Sequence, residues 1–457
     1  MTSPTVSATA QIEFLFRRIS TAAFYEELLQ EFGISSGGGI YDLPLVIWMM
    51  IMQRLSQKGT AAAVVQEMAH QANQPGPKQS WDCKRVRDCK VSSNIGGYCQ
   101  ARKNLPTPVV NCVNEQIFEL LRQQTAANEP CRPVYVVDGT TIRLPHNKEL
   151  VRDYPPGRNQ HGENHWPIQM LVTFHDAHTG LAAPPSWGPK YGSKAISEQE
   201  LAKQALDRLP ADAIVLGDGN FGVFFFVHAV QQSLRPVVAR LTAVRAKSLL
   251  RQTNTVVPDA GARVEVRWTP SCHERKAHPD LPADASLQGW IVVSQNPAKP
   301  AEKLYLITTL DWEPDRVIAV YKLRWNIETD LRSLKQTVNL QRITSKSSGV
   351  VEKELLIAFT AYNLVRAVIY LAACRENLPP RHFSFSLSQN AVMAAWRDLH
   401  QATTEAAFDL QMDLLLKFVA KAKLPQRPNR PGYPREIWGR GGHFPFRPST
   451  PIQEPTQ

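Results

Sequence analysis

Paired cysteines, long apolar runs and nucleotide-binding loops are missing from this sequence, and each absence argues against one class of protein. The seven cysteines are scattered without a Cys-x2-Cys pair, which argues against a disulfide framework or a structural zinc site. The apolar run 43–52 is too short to cross a bilayer, and the chain starts without a basic or apolar leader. The glycine run 37–39 lacks the Lys-Ser/Thr of a phosphate loop. We therefore expect a reduced, cytoplasmic protein that hydrolyses no nucleotide.

What the chain does contain is an ordinary globular composition with an excess of positive charge. Of its 457 residues, 43% are hydrophobic and 20% are charged, which leaves room for two or three domains with ample cores. The formal net charge is +11, which favours a polyanionic partner such as nucleic acid. Basic and aromatic residues alternate between 78 and 103, where a DNA-tracking surface and a solvated linker are both open interpretations. A Pro/Arg-rich tail beyond residue 424 is expected to become ordered on DNA.

The periodicity of the apolar residues changes along the chain and predicts an α/β fold. Helical spacing covers 11–35 and 43–70, and extended segments follow Pro130. Three strands are predicted first, at 133–144, 168–179 and 181–183, and a helix follows at 197–209. A fourth strand at 214–217, a helix at 221–232 and a fifth strand at 235–241 complete the series. Acidic residues stand at the ends of the first and fourth strands, as Asp138 and Asp218. This order is typical of a ribonuclease-H-like core.

Three domains are predicted from these segments. A helical N-terminal region at 1–128, which would bind DNA, precedes a catalytic domain at 129–395 and a helical, then basic, C-terminal region at 396–457. Short strand-like pieces at 263–269, 289–295 and 303–309 predict a β-rich insert over about 242–312, since the gap that follows Asp218 is too long for a plain connection. Apolar helical patterns at 350–371 and 388–422 complete the chain.

The segment Tyr321–Lys335 has the most informative pattern in the chain. Tyr321, Arg324, Glu328 and Lys335 lie at offsets of 3, 7 and 14 from the first, so a continuous helix would bring them within about 60° on one face. The leucines of the segment occupy a separate face, as in an amphipathic helix. A solvated helix with ion pairs four residues apart would share this pattern. Together with the two strand-end aspartates, however, Glu328 completes the three carboxylates that a site for two divalent cations needs.

These residues match the Y-x2-R-x3-E-x6-K signature, and the sequence resembles the insertion-sequence-four family of bacterial DDE transposases. Three further motifs carry the resemblance: D-G-T-T-I at Asp138–Ile142, Asp218 followed by Phe221-Gly222, and Tyr362–Arg366. The similarity covers about residues 40–370 in order.

The resemblance implies a metal-dependent DNA transposase that works by a cut-and-paste route. Asp138, Asp218 and Glu328 would be the catalytic acids and would bind two Mg²⁺ ions, which Mn²⁺ could replace, with Asp138 shared between them. The phosphate and DNA contacts would come from five residues: Tyr321, Arg324, Lys335, Arg102 and Trp325. The expected partners are terminal inverted repeats, target DNA and a second copy of the chain in a synaptic complex. The expected location is the bacterial cytoplasm, in association with the nucleoid.

Two departures from the family pattern bear on the mechanism. Family members often have arginine directly after the second aspartate, where this sequence has Gly219-Asn220. Relatives that use a DNA hairpin stack a flipped base on a tryptophan where this chain has Leu304-Tyr305. Three aromatic residues are alternatives for that role: Tyr305, Trp290 and Trp325.

Two rival functions and one weak metal motif stay open at this stage. A stand-alone nuclease would cleave without strand transfer, and a catalytically silent relative would only bind DNA. His161 and His165 are four residues apart but lie in a polar stretch without a helical pattern, so they are a poor metal motif. His175 and His178 lie in a predicted turn and are expected on the surface.

Overall fold

The computed structural model describes residues 22–34, 39–56, 59–73, 84–126, 132–160, 162–253, 258–295, 302–401 and 404–425. Part of the predicted helix 11–35, His161 and the basic tail beyond 425 lie outside these ranges.

The N-terminal region is helical, as predicted. Asp42 caps one helix by accepting a hydrogen bond from the N–H of Leu45 at 3.0 Å, and that helix ends before the interruption at Gly59. The described residues of this region form six helices: α1 Ala22–Glu31, α2 Leu43–Leu55, α3 Ala61–Ala72, α4 Lys84–Arg87, α5 Gly96–Asn104 and α6 Thr107–Ala126. Apolar side chains of α2 and α6 pack onto a long central helix near the end of the chain, so this region shares its core with the rest of the molecule.

An eight-stranded mixed sheet forms the centre of the molecule. Its strands, with a small separate hairpin formed by β2 and β3, are β1 Val134–Arg143, β2 Arg158–Asn159, β3 Gly162–Glu163, β4 Ile168–Asp176, β5 Ser186–Pro189, β6 Ile214–Gly217, β7 Val237–Leu241, β8 Arg263–Trp268, β9 Leu287–Gln295 and β10 Lys303–Thr308. The order across the main sheet is β5-β4-β1-β6-β7-β10-β9-β8. Strands β1, β6 and β7 are mutually parallel, whereas the other neighbours pair antiparallel.

The predicted β-rich insert is an extension of this same sheet. Strand β10 pairs antiparallel with β7, with Tyr305 opposite Leu241, and β9 and β8 follow outward. The N–H and C=O groups along β7 are thereby paired on both sides instead of forming an open edge. The prediction of a third strand at 181–183 is wrong, because only a single β-bridge joins Ala182 to His175 there. The strand that pairs with β4 lies further along the chain, as β5.

Ten further helices complete the described chain. They are α7 Lys148–Asp153, α8 Glu198–Ala205, α9 Phe224–Gln232, α10 Ala243–Gln252, α11 Cys272–Ala277, α12 Pro314–Lys322, α13 Asn326–Arg332, α14 Ser348–Glu376, α15 Phe385–Gln401 and α16 Glu405–Lys421. Helix α14 is long and apolar enough to cross a membrane, but its apolar stretch is entirely buried within the fold. It ends at Asn377, which adopts a left-handed conformation with φ of 51°.

The signature segment Tyr321–Lys335 is not the single continuous helix that its pattern predicts. Helix α12 ends at Lys322, a 3-10 turn follows at Leu323–Trp325, α13 comes next, and a π-helical turn covers Ser333–Thr337. The 3-10 turn is wound more tightly than an α-helix and the π turn less tightly. The direction of each side chain is therefore determined by its tertiary contacts rather than by a fixed 100° step.

Candidate active site

Asp138 and Asp218 lie side by side at the centre of the sheet. Strands β1 and β6 are parallel, with Val136 opposite Leu216, so the register continued by two residues puts the two aspartates opposite each other. Neighbouring strands are about 4.8 Å apart, which brings both partly buried carboxyl groups to the same place. The N–H of Gly139 donates to Asp138 Oδ1 at 2.8 Å. The N–H of Asn220 donates to Asp218 Oδ1 at 2.9 Å.

The surroundings of Asp138 carry a surplus of negative charge. Burial raises the pKa of Asp138 to about 6, and the charges of Asp218 and Glu198 add to this shift. The charge of Arg324 and the hydrogen bond from Gly139 oppose it only in part. A divalent cation would relieve this repulsion, and carboxylate oxygens are the ligands that Mg²⁺ prefers. The carboxylates at this position are therefore donors of the type that such an ion binds.

Glu198 is an acid of this site that the sequence reasoning missed. Its carboxyl group rests against Gly139: a Cβ atom added there would lie 2.8 Å from Glu198 Cδ. Burial raises the pKa of Glu198, the charge of Lys190 lowers it, and that of Asp218 adds to the rise. In the sequence, this position belonged only to the predicted helix at 197–209, whose first turn Ser197 caps by accepting a 3.1 Å hydrogen bond from the N–H of Glu200. The glycine directly after Asp138 was the available signal, because it leaves room for another side chain.

Two cations of the signature segment reach this position. Lys335 Nζ donates to Thr140 Oγ1 at 2.9 Å, two residues beyond Asp138 on the same strand. Burial lowers the pKa of Lys335, while the charge of Asp138 acts in the opposite direction. Arg324 influences Asp138 electrostatically, and its NH2 lies 3.9 Å from Glu328 Oε1. Both cations thus lie where a phosphate could bind beside the aspartates.

Glu328 lies next to Arg324, whose charge also acts on Asp138. Its helix α13 packs against β1, and its side chain is partly buried. In the described part of the chain, no three acidic, histidine or cysteine side chains lie close enough together to hold a metal ion. The structure therefore brings together two of the three predicted acids, Asp138 and Asp218. The third, Glu328, lies beside Arg324.

The aromatic residues of the region differ in exposure. Tyr321 is only 8% exposed and belongs to a second apolar cluster, whereas Trp325 is 50% exposed with the Arg324 guanidinium 4.8 Å from its ring centre. Tyr305 is buried at 4% exposure, and Trp290 is half-buried beneath Arg263. Of the three alternatives for base stacking, Trp325 presents the most open ring.

Comparison with known proteins places the chain in a family. A family model described as Transposase DDE domain matches residues 129–364, more than half of the chain, and the match includes the aspartates and the signature segment. The chain belongs to the DDE transposase family. It is an enzyme of the polynucleotidyl transferase type, and the DDE domain implies dependence on a divalent metal.

A curated protein and a solved structure also match the chain. The transposase is 26% identical over 359 residues to "Transposase InsG for insertion sequence element IS4" of Escherichia coli (strain K12), which covers 76% of this chain and 77% of InsG. Among solved structures, it matches the cryo-EM structure of the piggyBac transposase synaptic complex with hairpin DNA at 12% identity. That match covers 81% of this chain and 77% of the other, with a TM-score of 0.37.

Arg102 lies in the interior of the transposase, which corrects the prediction that it contacts DNA. It is 8% exposed, and its NH1 lies 3.0 Å from Glu354 Oε1 and 3.0 Å from Gln53 Oε1. Its NH2 donates to Ser345 Oγ at 3.1 Å. The guanidinium group therefore stabilises the packing of α5 against α14 and is not available to a phosphate. Its main partner lies about 250 positions away in the sequence, so no local pattern could have revealed it.

His175 is also buried, although the sequence predicted a surface position. Its side chain contacts the fully buried Asp330, with Nδ1 at 3.7 Å, and burial lowers its pKa to about 4. The Tyr362–Arg366 motif supports the same region from α14. Asn363 exchanges two 2.9 Å hydrogen bonds with the backbone of Ala182, and Arg366 pairs with Asp330. This motif therefore acts beneath the site and not within it.

Proposed function

We propose that the transposase cleaves and joins DNA at a site formed by Asp138, Asp218 and Glu328 with two Mg²⁺ ions. The observation that carries this proposal is the pair of aspartates on adjacent parallel strands, where burial and mutual repulsion raise the pKa of Asp138 to about 6. A divalent cation between the two carboxyl groups would offset this repulsion. The half of the sheet from β5 to β7 would be the ribonuclease-H-like core, because the strand-end acids of such a core lie on its central parallel strands.

Different residues of the chain would bind the metal ions and the phosphate at this site. Asp138 would be shared between the ions, and Asp218 and Glu328 would each bind one. The ions supply activation of the nucleophile and stabilisation of the leaving oxygen when they are bound. Arg324 and Lys335 would bind the scissile phosphate. Since Arg324 lies beside Glu328, a phosphate that engages the guanidinium would compete with this contact and free the carboxylate for the metal site.

The substrate would be the terminal inverted repeats of an insertion sequence and a target duplex. Water would attack the phosphorus at each end, break the P–O bond and release a 3′-hydroxyl. That hydroxyl would then attack a target phosphorus and displace a target 3′-oxygen. Trp325 would stack an unpaired base beside the site, and the net charge of +11 would supply nonspecific attraction to DNA. Since two ends must be held together, the active complex would contain two copies of the chain, and it would act within the bacterial cell at the nucleoid.

Cleavage by acid variants tests the assignment. The substrate is a labelled duplex carrying the inverted repeat found beside the gene, with Mg²⁺ or Mn²⁺. Asp138→Asn, Asp218→Asn and Glu328→Gln should each bind it nearly as the unaltered protein does and should lose cleavage by about 10³-fold or more, since the cations lose a ligand. Glu163→Gln, which changes an exposed acid of β3, is the control and should cleave normally. Normal nicking by Glu328→Gln would remove that residue from the site.

A second reaction distinguishes strand transfer from plain nuclease activity. Precut ends with a free 3′-hydroxyl are mixed with a supercoiled plasmid and Mg²⁺. Covalent joining of the ends to the plasmid is the expected result. Cleavage of the first substrate without any joining would favour a stand-alone nuclease, and binding with neither reaction would favour a catalytically silent relative.

A further inference from the structure

Three polar side chains join the start of helix α8 to the loop that carries Asp218. We propose that Glu198, Gln199 and Asn220 form a clamp that sets the position of Asp218 relative to Asp138, so that Glu198 and Asn220 are positioning residues for the metal site. This inference rests on the proposed role of the two aspartates. It also gives a function to Asn220, which belongs to the Gly219-Asn220 pair that follows Asp218 where family members often have arginine.

At the Asp218 end, Asn220 is held from two directions. Its N–H donates to Asp218 Oδ1 at 2.9 Å, so its backbone fixes one oxygen of the catalytic carboxylate. Its side chain donates to Glu198 Oε2, while Gln199 Nε2 donates to its carbonyl oxygen at 2.8 Å and to its Oδ1 at 2.9 Å. Asn220 itself is exposed, so these contacts with α8 are what restrain it.

At the Asp138 end, the same glutamate lies against the backbone of Gly139. A Cβ atom on Gly139 would lie 2.9 Å from Glu198 Oε1, which leaves no room for a larger residue without displacement of the carboxyl group. The N–H of Gly139 is also the group that donates to Asp138 Oδ1. Glu198 therefore contacts both residues whose N–H groups support the aspartates: the backbone of Gly139, beside Asp138, and the side chain of Asn220, beside Asp218.

The base of the clamp is rigid. Ser197 caps α8, and the buried side chains of Leu201, Ala202 and Ala205 fix the helix against the sheet. Because Glu198 and Gln199 are the first residues of this helix, their backbones cannot move independently of it. A shift in the Asp218 loop would have to break the Asn220 contacts first, which is how the clamp holds the spacing of the aspartates.

A clamp and a direct metal ligand at Glu198 make different demands on the side chain. A clamp needs only an oxygen that accepts the Asn220 hydrogen bond, which glutamine also supplies. A ligand needs the negative charge and has no need of Asn220. Glu198→Gln should therefore restore function relative to Glu198→Ala, and Asn220→Ala should reproduce the defect of Glu198→Ala.

The test uses the full-length transposase and two readouts. One is the rate of end cleavage as a function of Mg²⁺ concentration, and the other is Mn²⁺ binding by calorimetry without DNA. Glu198→Ala and Asn220→Ala should each weaken Mn²⁺ binding and slow cleavage by about 10- to 100-fold, the usual loss when a residue supporting a metal ligand is removed. Glu198→Gln should stay within about threefold of the unaltered protein on both readouts, and DNA affinity should not change. Glu200→Ala, on the same helix and without contact to Asn220, is the matched control.

The outcomes separate the clamp from its alternatives. Normal Mn²⁺ binding and cleavage by Asn220→Ala would overturn the proposal, as would a Glu198→Gln defect equal to that of Glu198→Ala. If Glu198→Ala fails to fold, Asn220→Asp replaces it: the surface position tolerates the change, the donor to Glu198 is lost and a like charge is added. Normal cleavage by Asp138→Asn and Asp218→Asn would instead refute the proposed site itself, whatever the clamp variants do.

Discussion

Asp138 is the residue at which the needs of function and of folding conflict most clearly. Its carboxyl group is partly buried, and burial together with the charges of Asp218 and Glu198 raises its pKa to about 6. A group whose folded pKa lies above its ordinary value destabilises the fold once it ionises. The metal-free protein therefore carries a cost at neutral pH that a bound cation would offset.

Asp138→Asn should make the metal-free protein more stable while it abolishes cleavage. The pKa of Asp138 is about 6 in the fold against 3.8 normally, so the cost of ionisation is absent below about pH 4 and fully present above about pH 6. Asparagine still accepts the hydrogen bond from Gly139. With a discount for the exposed part of the group, the gain should be about 1 kcal/mol at pH 7.5.

Urea unfolding in EDTA at pH 7.5 and pH 5 measures this effect, with Asp212→Asn as an exposed control. The advantage of Asp138→Asn should shrink as the pH falls from 6 toward 4. An equal difference at both pH values, or a loss of stability at pH 7.5, would contradict the electrostatic account of this residue.

Single residues also show where sequence reasoning reaches its limit. Asp138 and Asp218 could be located because each follows a short apolar run, and the signature residues because they form a spaced motif. The prediction that Asp138 ends its strand is wrong, because β1 continues past it to Arg143. Arg102 and His175 were assigned to the surface because nothing local reveals Glu354 or Asp330, which bury them from distant parts of the chain. Glu198 was missed for the same reason: its neighbour Gly139 is on another element.

Helix α13 owes its position to a buried charge next to the candidate acid. Asp330, two residues after Glu328, is fully buried and pairs with Arg366 of α14 and with Arg381. Burial acts to raise its pKa, but the two arginines hold that pKa below its ordinary value. Arg381 also donates to the carbonyl oxygens of Asp176 and Ala177, which ties α13 to the end of β4.

Asp330→Asn should destabilise the protein by about 3–5 kcal/mol, because it leaves two buried guanidinium groups without their counter-charge. The free energy of urea unfolding at pH 7.5 measures the effect. Asp311→Asn is the matched control, since it removes an exposed partner of Arg263 and should leave the transition unchanged. Equal stability of the two variants would mean that the buried cluster does not hold α13.

The signature segment and the insert show why elements are harder to predict than motifs. Residue spacing predicted the helical character of Tyr321–Lys335 but not its 3-10 and π turns, the second of which contains Lys335 and its contact with Thr140. The strands of the insert were located within one or two residues. Their continuation of the main sheet depends on β10 pairing with β7 across more than sixty residues, which no local pattern encodes.

At the scale of the molecule, the N-terminal helices and the catalytic sheet share one hydrophobic core. Helix α14 is covered by α2 and α6, and Glu354 on α14 pairs with Arg54 at 2.8 Å and with Arg102 at 3.0 Å. Lys353 donates to three backbone carbonyls at the end of α5. The domain boundary predicted near residue 128 marks a change of secondary structure, and the packing across it is extensive.

A fragment that begins at residue 129 should therefore not fold as an independent catalytic domain. Its loss of α2, α5 and α6 would expose the apolar face of α14 and leave Glu354 without its two arginines, a defect that typically costs about 3–5 kcal/mol for the ion pair alone. Residues 129–425 should show low solubility, strong binding of a hydrophobic dye and a broad urea transition. The chain 1–425, which keeps every described element, should unfold cooperatively at the midpoint of the full protein. A sharp transition of fragment 129–425 at that same midpoint would contradict this prediction. It would show that packing against the N-terminal helices adds no stability to the rest of the chain.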